Sequence, residues 1–133
     1  LKGDIRIDQD SGSEIKTRNL FVDQSDGQKH YHTDEYTTYL SEMSIINADS
    51  GMDLDMNQNI IWLLGEVEIL QSSGSKIQGK DLIVDQSNGG EVYKTDNTIH
   101  YQSQVADILA QSMHFDAKQQ RIELTGGVTA RYE

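Results

Sequence analysis

The stretch Ile61-Trp62-Leu63-Leu64-Gly65-Glu66-Val67-Glu68-Ile69 decides the fold class. Ile61, Leu63, Val67 and Ile69 share one parity, so on an extended chain their side chains point to a single face. That period is two, the signature of a half-buried strand, and it does not fit a helix. Gly65 holds the same parity but has no side chain to pack, which suits a bulge or bend inside a long strand. Related phrases stand on either side: Leu1-Lys2-Gly3-Asp4-Ile5 upstream and Leu124-Thr125-Gly126-Gly127-Val128 downstream.

Outward from this stretch the alternation continues. Ile5 and Ile7, Leu20 and Val22, Met52, Leu54 and Met56, Leu82 and Val84, Met113 and Phe115, and Ile122 and Leu124 all alternate with polar residues. Between them lie turn sequences: Asp10-Ser11-Gly12, Ser25-Asp26-Gly27, Asn57-Gln58-Asn59, Ser72-Ser73-Gly74 and Asn88-Gly89-Gly90. No window carries a capped helical stripe. The expectation is an all-β chain. Because each strand is apolar on one face only, two sheets must face each other or one sheet must fold over on itself.

The chain also resembles itself. Residues 13–25 align with residues 75–87 at an offset of 62, which also brings Leu1, Gly3 and Ile7 onto Leu63, Gly65 and Ile69. Gly27, Tyr31, Thr33, Asp34 and Tyr39 meet Gly89, Tyr93, Thr95, Asp96 and Tyr101 at that offset. A one-residue deletion near residues 44–50 shifts it to 61, where Met52, Asp55, Ile61, Leu63 and Gly65 meet Met113, Asp116, Ile122, Leu124 and Gly126. The expectation is one domain over residues 1–133, made of two units at about 1–62 and 63–123. The opening strand of a third unit follows and leaves an edge.

Composition narrows the function. The formal charge of −11 repels phosphate backbones and argues against a nucleic-acid role, and equally against docking on anionic headgroups through a basic patch. Cysteine is absent, which excludes disulfides and Cys-based zinc sites and fits cytosol or periplasm alike. Proline is absent too, as suits long strands whose ladders need every donor. No apolar run approaches the roughly 18 residues of a membrane span. Leu1 in place of Met suggests a trimmed product with a signal or anchor segment lost upstream.

Taken in order, Leu64-Gly65-Glu66-Val67, Asp81-Leu82-Ile83-Val84-Asp85, Ile108-Leu109-Ala110, Met113 and residues 122–128 fall within residues 63–132, about half the chain. Their order and spacing resemble the lipopolysaccharide-export periplasmic proteins of the LptA/OstA-like jellyroll superfamily, with the closer likeness to the LptC-like, inner-membrane-anchored members. Gly51-Met52 keeps the family's Gly before Met, whereas Ser112-Met113 does not. The resemblance implies a twisted antiparallel β-jellyroll, or β-taco, whose apolar interior is not fully closed. It implies a non-enzymatic role without cofactor. Lipopolysaccharide would be received from an inner-membrane lipopolysaccharide ABC transporter and passed to a soluble periplasmic bridge jellyroll. It also implies a periplasmic location, with tethering to the inner membrane by an N-terminal helix absent from this chain.

On that basis the interior expected to receive acyl chains is formed by Ile5, Ile7, Leu20, Val22, Leu54, Ile61, Leu63, Val67, Leu82, Val84, Phe115, Ile122 and Leu124. A trough for fatty chains needs only apolar length, at about 0.8 kcal/mol per buried methylene. The same set would equally fill an ordinary core. The last strand, Gly127, Val128, Thr129, Ala130, Arg131 and Tyr132, is expected to offer its backbone to the next jellyroll by strand addition.

Other chemistries are poorly supplied. Asp53, Asp55, Asn57 and Asn59 space oxygens like a calcium loop, but Gln58 stands where such a loop wants Gly and Leu64 where it wants Glu. His30 and His32 share a strand face, yet zinc needs three or four ligands and Val92 and Lys94 occupy the matching places in the second unit. Asp23 and Asp85, and Asp34 and Asp96, recur with the turns and nominate no catalytic carboxylate pair. No nucleophile elbow is present. Trp62 and Leu64, on the face opposite Ile61 and Leu63, are expected to pack against a second layer, the alternative being an exposed patch where a partner sits. Three alternatives stay open: a soluble LptA-like bridge, a ligand-free β-repeat fragment of a surface protein, and an enzyme acting on polysaccharide.

Overall fold

The computed structural model describes residues 2–9, 12–27, 29–42 and 44–132. Leu1 of the first phrase, and Asp10 and Ser11 of the first turn, lie outside the described residues. Fifteen strands form one antiparallel sheet among the described residues, with no α-helix. They are β1 (Lys2–Asp8), β2 (Glu14–Asn19), β3 (Phe21–Asp23), β4 (His30–Thr33), β5 (Thr37–Leu40), β6 (Ser44–Ala48) and β7 (Met52–Asp55). The long pair β8 (Ile60–Gln71) and β9 (Lys76–Asp85) follows. Then come β10 (Val92–Thr95), β11 (Ile99–Gln102), β12 (Ala106–Ala110), β13 (Ser112–Asp116), β14 (Arg121–Thr125) and β15 (Thr129–Tyr132).

Strands β8 and β9 are long enough to belong to two wings. One wing runs β1-β2-β5-β6-β8-β9-β11-β12-β15, using the C-terminal half of β8 and the N-terminal half of β9. The other runs β3-β4-β7-β8-β9-β10-β13-β14 and uses the remaining halves. Between them is a crease. Leu63 pairs with Leu82 and Glu66 with Lys80, so Leu64 and Gly65 face Asp81 alone, which makes a bulge. Gly65 takes φ +81°, and a Cβ there would fall 2.2 Å from Ser50 Oγ, so this bend needs glycine. Carboxylates take up donors along the crease: Gly65 N donates to Asp81 Oδ1 (2.8 Å) and Glu66 N to Asp49 Oδ1 (2.9 Å).

The crease folds the two apolar faces onto each other. In the first wing the register aligns Ile7, Ile15, Tyr39, Ile46, Ile69, Ile77, Tyr101, Ile108 and Ala130 in one row across the strands. In the second it aligns Val22, Tyr31, Leu54, Ile61, Val84, Tyr93, Phe115 and Ile122. The middle of each row is sealed from solvent, with Tyr39, Ile46, Ile61 and Val84 all at 0% exposure. An open sheet cannot bury its apolar face so completely, so the wings close on one another. Burial falls away toward the ends of the rows, where Ile7, Ile108 and Ile122 are half-buried and Ala130 is exposed.

Candidate functional site

The space between the wings is the candidate site: a creased apolar trough with a packed centre, open ends and a polar-lipped mouth. Of the expected interior residues, Leu20, Leu54, Ile61, Leu63, Val67, Leu82, Val84 and Phe115 are buried in one continuous cluster. Ile5, Ile7, Ile122 and Leu124 are partly buried against it. Val22 is the exception and needs correction: it lies 41% exposed. It faces the inner side next to Tyr31, but β3 pairs only with β4. Among the described residues the row ends there, which leaves Val22 open to solvent on one side.

Met52, Ile69 and Met113, which the alternation puts on the inward face, line the interior too, and so do Ile15, Tyr39, Ile46, Ile77, Tyr93 and Ile99, which the sequence did not mark as inward. In β9 the reason is a change of parity. Ile77 and Leu82 both face inward, five positions apart, because Asp81 (φ 53°) interrupts the alternation at the crease. The tyrosines were missed because their hydroxyls look polar, although burial pushes both ionisations well above the ordinary tyrosine value. Tyr93 packs edge-on against Phe115, with ring centroids 5.4 Å apart and planes at 80°.

The lips lie at the strand ends farthest from the crease. Ser13, the turn after β5 and the turn after β8 border the first wing, while residues 86–91 and 117–120 border the second. Between them opens a pocket of about 580 Å³. Its floor is Tyr93, Phe115 and Ile122, and its rim carries Ser41, Glu42, Ser73, Gln86, Glu91 and Lys118. Deeper in, a void bordered by Ile77, Ile99 and Met113 holds only about 10 Å³. The centre is therefore filled by side chains, and the mouth is the accessible apolar space.

Beside this pocket the lips are joined. Tyr39 Oη and Tyr93 Oη each donate to Glu91 Oε2 at 2.7 Å, and Ser13 Oγ donates to Glu91 Oε1 at 3.2 Å. Gln86 Nε2 donates to Tyr39 Oη at 2.7 Å, and the Gln9 and Gln86 amides bond reciprocally at 3.2 Å.

The expected partner strand is shorter than its sequence. β15 covers Thr129, Ala130, Arg131 and Tyr132, which pair with Leu109, Ile108, Asp107 and Ala106. Gly127 (φ 55°) and Val128 fall in the bend after β14, because the chain there turns from one wing to the other. β15 pairs only with β12 and β14 only with β13, so each leaves one edge unpaired among the described residues.

The polar groups considered for metals and acid–base work are engaged locally. Asp55 Oδ1 accepts from Asn57 N (2.9 Å) and Gln58 N (3.1 Å), capping the turn between β7 and β8. His32 bonds Asp53 through one ring nitrogen and Asp34 through the other (2.8 Å), and the Asp53 bond leads in raising its pKa. Asp23 and Asp85 cap the turns at Ser25 and Ser87, which holds both carboxyls below the usual carboxylate range. Among the described residues, no group of three or more His, Asp or Glu is placed to hold a metal ion. Trp62 and Leu64 lie half-buried on the outer face, beside His30, His32 and Asp53, rather than under a second layer.

None of the curated proteins compared with the chain matches it. A family model described as "Lipopolysaccharide-assembly, LptC-related" matches residues 36–133, from just before β5 through β15, which include the crease, the mouth and the final edge but not β1 to β4. The chain thus belongs to the LptC family of lipopolysaccharide-transport proteins.

Proposed function

We propose that this chain is a non-enzymatic carrier and scaffold that shelters lipopolysaccharide acyl chains between its wings. It receives them from an inner-membrane ABC transporter and hands them to a neighbouring bridge jellyroll through its terminal edge. The single observation that carries the reading is the apolar trough with a ready mouth at Tyr93, Phe115 and Ile122. Fatty chains ask for apolar length and no specific polar partner, and that is what the two aligned rows supply. The free side of β15 presents backbone donors and acceptors that suit strand addition by a second sheet. The periplasm is the compartment where such a bridge works, and an anchor preceding the chain would tether it to the inner membrane.

Site-specific photo-crosslinking in cells tests both halves of this reading. Photoreactive residues at Phe115 and Ile122 are expected to give lipopolysaccharide adducts, and one at Thr129 a protein adduct. Exposed Lys16, on the outside of the first wing, is the control. If the inner positions give no lipid adduct in a folded protein, the trough is only a packed core and a ligand-free β-scaffold replaces the carrier.

A further inference from the structure

The centre of the trough is filled, so acyl chains reach it only if the wings part. What joins the lips beside the mouth is a polar bridge: the Glu91 carboxylate accepts from two tyrosine hydroxyls, and Gln86 reaches Tyr39 and Gln9 across the same gap. Glu91 belongs to the second wing's lip and Tyr93 to its β10, while Tyr39 and Ser13 belong to the first wing, so two of the bonds to Glu91 cross the gap. A carboxylate is a costly way to glue two sheets, since well-packed apolar residues would hold them at least as firmly. Its advantage is exchangeability: Glu91 is only half-buried, so water can replace each partner without exposing the apolar core. Gln86 to Tyr39 (2.7 Å) and Tyr93 to Ser41 (3.4 Å) cross the same gap, so they exchange with water together with Glu91 when the lips part. The mouth lies directly next to this bridge, and Glu91 and Gln86 form part of its rim.

We propose that Glu91, with Gln86 beside it, is a latch across the lips of the trough, and that exchange of their bonds to Tyr39, Ser13 and Gln9 for water admits acyl chains sideways through the mouth. This rests on the carrier reading and adds to it a route of entry and the residues that gate it. Closed, the latch keeps the empty interior dry. Open, it lets the wings spread about the crease at Gly65, and the floor of Tyr93, Phe115 and Ile122 extends inward into the two rows. The latch is a positioning device for the lips and makes no demand on the lipid's headgroup.

The chain has no cysteine, so spin labels can be placed on the facing lips by Ser72→Cys and Lys118→Cys alone. Distances between the labels are compared in the otherwise native chain, in Glu91→Ala and in the milder Tyr39→Phe. The rate of uptake of fluorescent lipopolysaccharide is read in the same proteins, and far-ultraviolet circular dichroism confirms that each retains the sheet. Expected are longer label distances before any lipid is added, and uptake faster by roughly two- to tenfold for each hydrogen bond lost. If distances and uptake stay unchanged while the native chain takes up lipid, the latch is wrong and the carrier stands. If the lips widen but uptake is not faster, opening them is not the gate, and the proposal is again overturned. If the lips widen and no protein takes up lipid, the carrier reading itself fails, and the lipid-gating role falls with it.

Discussion

Replacing Gly51 by alanine is expected to strike the crease itself. Gly51 links β6 to β7, where the chain passes from one wing to the other, and its carbonyl accepts from Leu64 N at 2.9 Å. Its φ is +102°, and an added Cβ would fall 1.9 Å from the backbone oxygen of Thr33 and 2.8 Å from the Cα of Asp34. Real Cβ contacts do not fall below 3.0 Å, so the end of β4 would have to retreat by about 1 Å. The backbone conformation costs about 1–3 kcal/mol for a residue with a side chain. Forcing packed backbone apart adds about 1–3 kcal/mol. Together they reach roughly 2–6 kcal/mol, a large share of the 5–15 kcal/mol typical of a domain. At Gly65 (φ +81°) two of the intruding atoms, Ser50 Oγ and Asp49 Oδ1, can turn aside, but Ser50 Cβ at 2.6 Å is fixed to its backbone, so Gly65→Ala should also be destabilising, by less than Gly51→Ala, where backbone oxygen and Cα intrude. Gly90→Ala meets only Lys118 side-chain carbons at 3.7 Å and should change stability by less than about 0.5 kcal/mol. Urea unfolding followed by circular dichroism would rank the three. With a slope of about 1–3 kcal/mol/M, Gly51→Ala should lower the midpoint by at least about 0.7 M. A Gly51→Ala midpoint matching that of Gly90→Ala would refute the close backbone approach at the crease.

Three further outcomes are expected. Leu63→Ala, at a fully buried position beside the crease, should cost about 2–5 kcal/mol in the same unfolding assay, whereas Val22→Ala at the open edge should stay within about 0.5 kcal/mol. His32 has a raised pKa when folded, so its contribution is fully present below about pH 6.5 and is lost as pH rises through the raised value. Unfolding measured from pH 5.5 to 8.5 should show a shallow decline that His32→Gln abolishes; both side chains of the His32–Asp53 pair are more than a third exposed, which limits the effect to under about 1 kcal/mol. Asp85 has a lowered pKa when folded, so its contribution stands above the ordinary carboxylate range and disappears as pH falls below about 4. Asp85→Asn should therefore be less stable than the native chain at pH 7, by a margin that shrinks as pH falls through the lowered value.

The sequence by itself determined the class of structure and most of the inward faces. Alternation at Ile61, Leu63, Val67 and Ile69 is a local property, because successive side chains on a strand must point to opposite faces. The bend at Gly65 was legible for the same reason: a glycine at an inward position has nothing to pack. Turns capped by Asp23 and Asp85 were readable too, since carboxylate and donor lie two residues apart. The 62-residue offset is likewise a feature of the sequence.

Tertiary structure decided how far the trough closes and what closes it. Val22 and Val84 look alike in sequence, yet one is 41% exposed and the other 0%. The difference is that β3 is an edge strand and β9 is central, which only the pairing of distant strands settles. Ile77 joined the interior because the crease at Asp81 switches the parity of β9. Tyr39 and Glu91 are 52 residues apart and carry no joint signal in the chain. They meet because two strands bend at the same crease, and long-range closure of that kind brings together groups that no local period can pair.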